Sequence, residues 1–194
     1  MTSPEDFTLC TDFLKKRREA AGLSGETLVS IAERALEIGE KTAVDYKGKD
    51  LDKLAKEFKI SLRMETGGVV GNRLLRAQYD DSVKCITVYQ DGLEQLLQSG
   101  RLEELGLPAN RDQVRDMLLW HEFFHVLEFH KIGMVGKQFP LAHKVLCFSV
   151  KKPFYAASEL SAHAFVRDVL GLKRLPLYLD YAGEGSAQTL PNQQ

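Results

Sequence analysis

Residues 118–130, LLWHEFFHVLEFH, place ionisable side chains inside the most apolar helical stretch of the chain. Apolar residues occur on every side of this predicted helix, so we expect it to be buried rather than to lie on the surface. Burying an unpaired imidazole or carboxylate costs free energy. The histidines and glutamates of this stretch are therefore either paired structural residues of the core or ligands of a metal ion.

His121 and His125 lie four residues apart, and Glu122 directly follows the first of them. Since an α-helix turns by about 100° per residue, the two imidazoles share one face. Glu122 is rotated off that face, yet it is close enough to reach a water molecule bound to the same ion. This H-E-x-x-H spacing is typical of zinc sites with two histidine ligands and a glutamate general base. We therefore predict a metal site rather than a structural cluster.

Zinc needs a third protein ligand, and the spacing leaves alternatives open. His130 lies five residues after His125, about 140° farther around the helix. The metzincin pattern requires a glycine and a third histidine where this chain has Glu128 and Lys131, so that pattern fails. Glu128 lies near the correct face, but it is one turn farther along and would strain to meet both imidazoles. A carboxylate from the last predicted helix could approach from the opposite side.

Local signals along the rest of the chain predict an α+β fold, with a small sheet of about three strands packed against several helices. Alternation at Ile60, Leu62 and Met64 predicts one strand, and LLRAQYD and VKCITVY predict two more around a turn at residues 80–82. We expect a loop-rich or strand-like segment at about 133–152. Three helices are predicted from single capping residues: Ser3 begins a helix to about residue 21 or 22, Ser24 begins the next, and Asp50 begins a short one. The helix after Ser24 has an apolar stripe of Leu28, Ile31, Ala32 and Ala35. Capping boxes predict a helix over about 92–99, from Asp91 with Glu94, and the motif helix, from Asn110 with Gln113, and a last helix is predicted over about 154–171.

Length and charge limit the class of protein. A chain of 194 residues suits one domain, here 1–182, and residues 183–194 have the composition of a disordered tail. The net charge of −1 gives no general attraction to nucleic acid or anionic membranes. No stretch approaches the roughly 18 apolar residues of a membrane span, and MTSPEDF lacks the order of a signal peptide. Three distant cysteines are typical of reduced thiols, so we expect a cytoplasmic protein.

The last predicted helix contains SELSAHAFVRDVLGL, with Glu159, Ala162 and Phe165 at spacings of three. HEFFH followed by this E-x-x-A-x-x-F resembles the ImmA/IrrE family of gluzincin-like zinc metallopeptidases. The segment IAERALEIGEKTAVDYKGKDLDKLAKEFKISLRM resembles the lead-in of that family, and VKCITVY resembles the strand before its active-site helix. The resemblance covers about residues 28–176 and leaves residues 1–24 as an additional N-terminal helix.

The resemblance implies a zincin-like fold in which His121, His125 and Glu159 bind one Zn²⁺ and Glu122 is the general base. Family members commonly have asparagine or aspartate four residues after the glutamate ligand, where this chain has His163. By resemblance, His163 is expected to hold one of the zinc ligands in position without binding the metal itself. The alternative is that it adds a fourth ligand and quenches activity.

The resemblance also implies an activity, that of a zinc-dependent endopeptidase acting on another protein, such as a transcriptional repressor. The alternative is a non-catalytic regulator that keeps the fold and contacts a repressor. The segment with the basic run at residues 15–18 opens like the first helix of a helix-turn-helix domain, but no convincing turn and recognition helix follow. We therefore expect no direct nucleic-acid binding and no membrane partner.

Two further hypotheses concern the handling of a peptide. Tyr155 and His143 could stabilise an oxyanion, although a core tyrosine and a surface histidine are the simpler interpretations. The predicted strand at residues 84–89 could offer an open edge to an extended substrate. The alternative is an interior strand with both edges paired.

Overall fold

In the computed structural model, which describes residues 2–71, 73–145 and 148–181, four predicted helix starts are confirmed. The side chains of Ser3, Ser24 and Asp50 each accept a hydrogen bond from a backbone N–H in the first turn that follows. Asn110 accepts two such bonds at the start of the motif helix. These N–H groups have no partner within their own helix, which is why short polar residues mark the starts in the sequence.

The described residues form an α+β structure with seven α-helices. Their bounds are α1 (Pro4–Lys15), α2 (Gly25–Val44), α3 (Leu51–Glu57), α4 (Gln90–Gln98), α5 (Arg111–Leu127), α6 (Tyr155–Leu170) and α7 (Tyr178–Tyr181). A π-helical segment, Glu128–Ile132, continues α5 directly. No described helix is both long enough and apolar enough to cross a membrane.

The predicted end of α1 was wrong. The helix ends at Lys15 rather than near residue 21, and a separate 3₁₀ turn follows at Arg18–Ala20. The backbone of Arg17 is extended, with φ −78° and ψ 132°, which interrupts the helix. This change of direction allows Ala20, which is 5% exposed, to pack into the core.

The predicted cap of α4 was also wrong. The helix begins at Gln90, immediately after a strand, and its N-cap residue makes no side-chain hydrogen bond. Asp91 instead accepts a hydrogen bond from the backbone N–H of Gly67 at 3.1 Å. The carboxylate of Asp91 therefore binds a residue that is distant in sequence, and a local sequence pattern does not predict such a contact.

The main sheet has three strands in the order β1 (Ser61–Glu65), β5 (Cys85–Tyr89) and β4 (Ala77–Asp80). Strand β5 is parallel to β1 and antiparallel to β4. The segment predicted as a possible open edge is thus the central strand, paired on both sides, and the edge hypothesis is wrong for it. Its burial explains the position, since Ile86 and Val88 are at most 1% exposed. The edge strands of this sheet are β1 and β4.

Two short hairpins complete the strands. The predicted strand LLRAQYD is divided, because Leu74 belongs to a pair formed by β2 (Val69–Val70) and β3 (Arg73–Leu74). The segment predicted as loop-rich or strand-like contains a 3₁₀ turn, Val135–Gln138, and a hairpin. The strands of that hairpin are β6 (Leu141–Val145) and β7 (Phe148–Lys152).

Helix α6 packs closely against α2. The predicted stripe of α2 is buried, and Ser161 of α6 donates a hydrogen bond to the carbonyl of Ala35 at 2.6 Å. A Cβ atom added to Gly39 would lie 2.1 Å from the carbonyl oxygen of Ser161 and 2.9 Å from the Cβ of Ala164. Only glycine permits this approach of the two backbones.

Residues outside the family-like segment are fastened to the same core. Asp6 of α1 is 1% exposed and accepts hydrogen bonds from the Arg174 side chain at 3.0 Å and from the Leu175 backbone at 3.2 Å. Cys10 of α1 is a buried free thiol, and burial raises its pKa to about 12. Residues 183–194, predicted to form a tail, lie outside the described residues.

Candidate metal centre

The motif residues lie near the end of α5, where the helix has two contrasting faces. Phe123 and Phe124 are fully buried, whereas His121, Glu122 and His125 are partly exposed. The partly exposed side chains open into a cleft of about 440 Å³. A helix in the core thus presents the three ionisable groups of the motif to a space that a ligand could enter.

Three side chains converge in this cleft. His121, His125 and Glu159 each offer one donor atom, and these atoms all lie within 4.8 Å of one another. The Nε2 atom of His121 lies 3.2 Å from Oε2 of Glu159, and the Nε2 atom of His125 lies 3.6 Å from Oε1. Glu159 lies near the start of α6, so its carboxylate approaches from outside α5, as expected for a third ligand. This group could hold one metal ion.

The neighbouring charges favour the protonated form of His125 and the ionised form of Glu159. Burial lowers the pKa of His125, but the carboxylates of Glu159, Glu128 and Glu122 outweigh it and raise that pKa to about 9. Burial opposes ionisation of Glu159, yet the neighbouring His125 and His121 hold its pKa well below the usual range. In the absence of a metal, a proton on His125 therefore compensates the charge of the carboxylates.

Glu128 has a role that the sequence reasoning missed. Its side chain is fully buried, and its Oε2 atom lies 2.7 Å from Nδ1 of His125. Its Oε1 atom accepts a hydrogen bond from the backbone N–H of Val135, also at 2.7 Å. Among the described residues it does not belong to the converging group. Glu128 instead fixes the His125 ring through Nδ1 and leaves Nε2 facing Glu159. The spacing of three from His125 was the available signal.

Glu122 is held by the edge strand. Its Oε2 atom accepts a hydrogen bond from the backbone N–H of Tyr79 at 2.8 Å. Its Oε1 atom has no hydrogen-bond partner in the part of the chain that the structure describes. The carboxylate thus faces the cleft with one oxygen bound and the other available.

His163 packs behind the group without belonging to it. Its ring centroid lies 4.8 Å from that of His121, and the planes are inclined by 60°. Its Nε2 atom is 3.8 Å from Oδ2 of Asp180, and its buried Nδ1 atom has no partner among the described residues. Burial, followed by the proximity of His121, holds the pKa of His163 well below its usual value. His163 is thus in ring contact with His121 but makes no hydrogen bond to it, and its bracing role stays a prediction.

His130 points away from the group. Its Nε2 atom lies 2.9 Å from Oδ1 of Asp81, in the turn between β4 and β5, and 3.0 Å from the hydroxyl of Tyr79. The same Asp81 oxygen accepts hydrogen bonds from Tyr79 and Lys84. This cluster joins the end of the motif helix to the hairpin whose strand β4 borders the cleft.

Tyr155 was predicted to be a core residue, and that interpretation was wrong. Its side chain lines the cleft, and the residue is 55% exposed. It occupies the first position of α6, where the wall of the cleft meets solvent. The predicted oxyanion role of Tyr155 remains a prediction, whereas the side chain of His143 lies outside the described part of the structure.

Comparison of the chain with protein-family models, with curated proteins and with solved structures found no significant match. The family resemblance therefore stays an expectation from sequence motifs.

Proposed function

We propose that this chain is a zinc-dependent endopeptidase with a zincin-like fold of the ImmA/IrrE type. The observation that carries the proposal is the convergence of His121, His125 and Glu159 in an open cleft with Glu122 beside them. Two imidazoles and one carboxylate are a donor set found in catalytic zinc sites. A cleft that keeps the group accessible supports catalysis more than a closed structural site does.

A zinc ion held by the three ligands would act as a Lewis acid toward the scissile carbonyl and would acidify water. The chain itself supplies the proton transfer. As water adds to the carbonyl carbon, the Oε1 atom of Glu122 accepts its proton and then gives it to the leaving amine as the C–N bond breaks. The hydrogen bond from Tyr79 to Oε2 holds the carboxylate in the cleft during both transfers.

Strand β4, rather than β5, provides the edge for an extended substrate. Arg76 accepts a hydrogen bond from Tyr89 next to the β4–β5 ladder, so the alternate residues Ala77 and Tyr79 direct their main-chain groups away from β5. Both residues line the cleft. A substrate peptide would form main-chain hydrogen bonds with Ala77 and with the carbonyl of Tyr79 whatever its sequence, because the N–H of Tyr79 is already bonded to Glu122. The proposed substrate is another protein, such as a transcriptional repressor.

Metal analysis and the Glu122→Gln variant test the proposal. We expect one zinc ion per chain, retention of zinc in the variant, and loss of cleavage because an amide cannot accept the proton. Glu33→Gln, an exposed substitution on α2, is the matched control and should cleave at the wild-type rate. If the protein takes up no zinc on titration, the proposal is wrong. If wild type binds zinc but cuts no candidate repressor, that result favours the alternative of a non-catalytic regulator.

A further inference from the structure

A second cleft adjoins the metal centre on the other side of Glu159. Its volume is about 370 Å³, and Tyr155 and Glu159 line both clefts. A peptide seated at the metal group could therefore continue into this space without leaving the protein surface. The other lining residues of the second cleft are Phe13, Arg17, Glu19, Phe154, Ala156, His163 and Asp180.

The second cleft has an apolar floor and a wall formed by residues that follow the N-terminal helix α1. Phe13, Phe154 and Ala156 are each no more than 9% exposed and lie beneath the opening. Arg17 and Glu19 follow α1, in the part of the chain that the family resemblance does not cover. Asp6 fastens α1 to the core, and the wall begins two residues after that helix ends.

The charged side chains that line this cleft differ in whether they form ion pairs. Asp180 is ion-paired with Arg76, so its carboxylate is already neutralised. The guanidinium of Arg17 lies 3.9 Å from the ring centroid of Phe13, which fixes its position without cancelling its charge. Arg17 forms no ion pair with a carboxylate of the described residues, although Glu19 lies on the same wall. Among the described residues that line the cleft, Arg17 is the only arginine or lysine, and it is exposed and oriented by Phe13.

We propose that the second cleft binds an acidic residue of the substrate and that Arg17 determines this specificity. The inference rests on the proposed peptidase function. An arginine can donate two parallel hydrogen bonds to one carboxylate, and an arginine already oriented by a ring loses less entropy on binding. Glu19 disfavours a second acidic group, so the selected feature is a single aspartate or glutamate at one position near the scissile bond.

Selection of peptides by the full chain tests this specificity without requiring cleavage. A library of random displayed peptides is selected on the zinc-loaded Glu122→Gln protein, in the Arg17 and Arg17→Gln backgrounds. We expect enrichment of aspartate or glutamate at one fixed position, and loss of this enrichment with Arg17→Gln. Replacing that acid with its amide in a single peptide should weaken binding about tenfold. Arg18→Gln, an adjacent exposed arginine that does not line the cleft, is the matched control and should keep the enrichment.

The outcomes separate this inference from the proposed function. Peptides that are selected for an acid but not cut by wild type would contradict the peptidase function and keep the acidic subsite. Cleavable peptides without an acid preference, or a preference that persists in Arg17→Gln, would overturn the subsite and leave the function intact. Failure to select any peptide would overturn the subsite as well. If Arg17→Gln does not fold, Arg17→Lys replaces it and should retain only part of the preference, because lysine keeps the charge but not the planar fork.

Discussion

Helix α5 has two faces that are stabilised in different ways. On the buried face, the ring of Phe123 meets those of Trp120, Tyr46 and Phe58 in edge-to-face contacts, with centroids 5.4–5.8 Å apart. On the cleft face, imidazoles and carboxylates meet at the edge of solvent. The first set is held by packing over a large area, and the second by a few charged contacts.

The difference indicates that the fold and the candidate metal site depend on separate residues. An aromatic side chain in a close-packed cluster stabilises the folded state through apolar burial and ring contacts. Ion pairs that are partly exposed in a cleft contribute less to stability, because water screens them. Substitutions on the buried face should therefore reduce the free energy of unfolding, and those on the cleft face should reduce metal affinity.

The largest expected effect is on stability. Phe123→Ala should lower the free energy of unfolding by about 3–5 kcal/mol, because it leaves a cavity among three other rings. Phe129→Ala is the matched control, since Phe129 is 52% exposed and should cost less than about 1 kcal/mol. Chemical denaturation of both metal-free variants provides the measurement. Equal losses would remove the distinction between the two faces.

Loss of a ligand should affect the metal much more than the fold. Glu159→Ala removes a carboxylate from the converging group, and we expect zinc affinity to fall by more than about 100-fold, beyond the effect of losing a partner behind a ligand. Thermal unfolding of the metal-free variant should stay close to that of wild type. Competition with a chelator measures the affinity. Unchanged affinity would assign the third ligand to another residue.

Glu128 shares features of both faces of the helix, because its side chain is fully buried like those of the buried face, yet it contacts His125 on the cleft face. Glu128→Gln should reduce zinc affinity about 10–100-fold, since the amide no longer provides the charged acceptor that fixes His125 through Nδ1. The amide oxygen can still accept the hydrogen bond of Val135, so the variant should fold. An affinity loss as large as that of Glu159→Ala would indicate that Glu128 binds the metal directly.

The smallest expected effect belongs to His130. It contacts Asp81 and Tyr79 in the hairpin rather than the converging group. His130→Ala should therefore leave zinc affinity within about twofold of wild type and change stability by less than about 1 kcal/mol. Titration with zinc, in parallel with the Glu159 variant, checks this. A marked loss of zinc affinity would show that the contacts of His130 with Asp81 and Tyr79 help to hold the cleft residues in place.

Predictions from the sequence succeeded where the signal is local. Ser24, Asp50 and Asn110 were recognised as helix caps because each bonds an N–H only two or three residues away. The approach of His121 and His125 follows from the helical repeat alone. The α+β class with a three-stranded sheet followed from the same short-range patterns.

The errors occurred where the chain is held by distant contacts. Asp91 has the local pattern of a cap but bonds Gly67, which lies 24 residues earlier. Residues 84–89 have β-forming composition, yet the partners that place them in the centre of the sheet come from two other strands. Tyr155 resembles a core residue by type, but its position at the start of α6 exposes it. Strand order and solvent access depend on the assembled fold, so composition could not supply them.

Gly39 sets a requirement for any attempt to transplant this metal group into a designed scaffold. Copying the three ligands onto two helices would not be sufficient, because the depth at which α6 sits is determined behind it by α2. A host with alanine at the equivalent of Gly39 would push the carbonyl of Ser161 outward and carry the nearby glutamate with it. The designer would therefore have to transfer α2, α5 and α6 together and keep glycine at the position of Gly39. This residue is easily overlooked, because it contributes no atom to the group that could bind the metal.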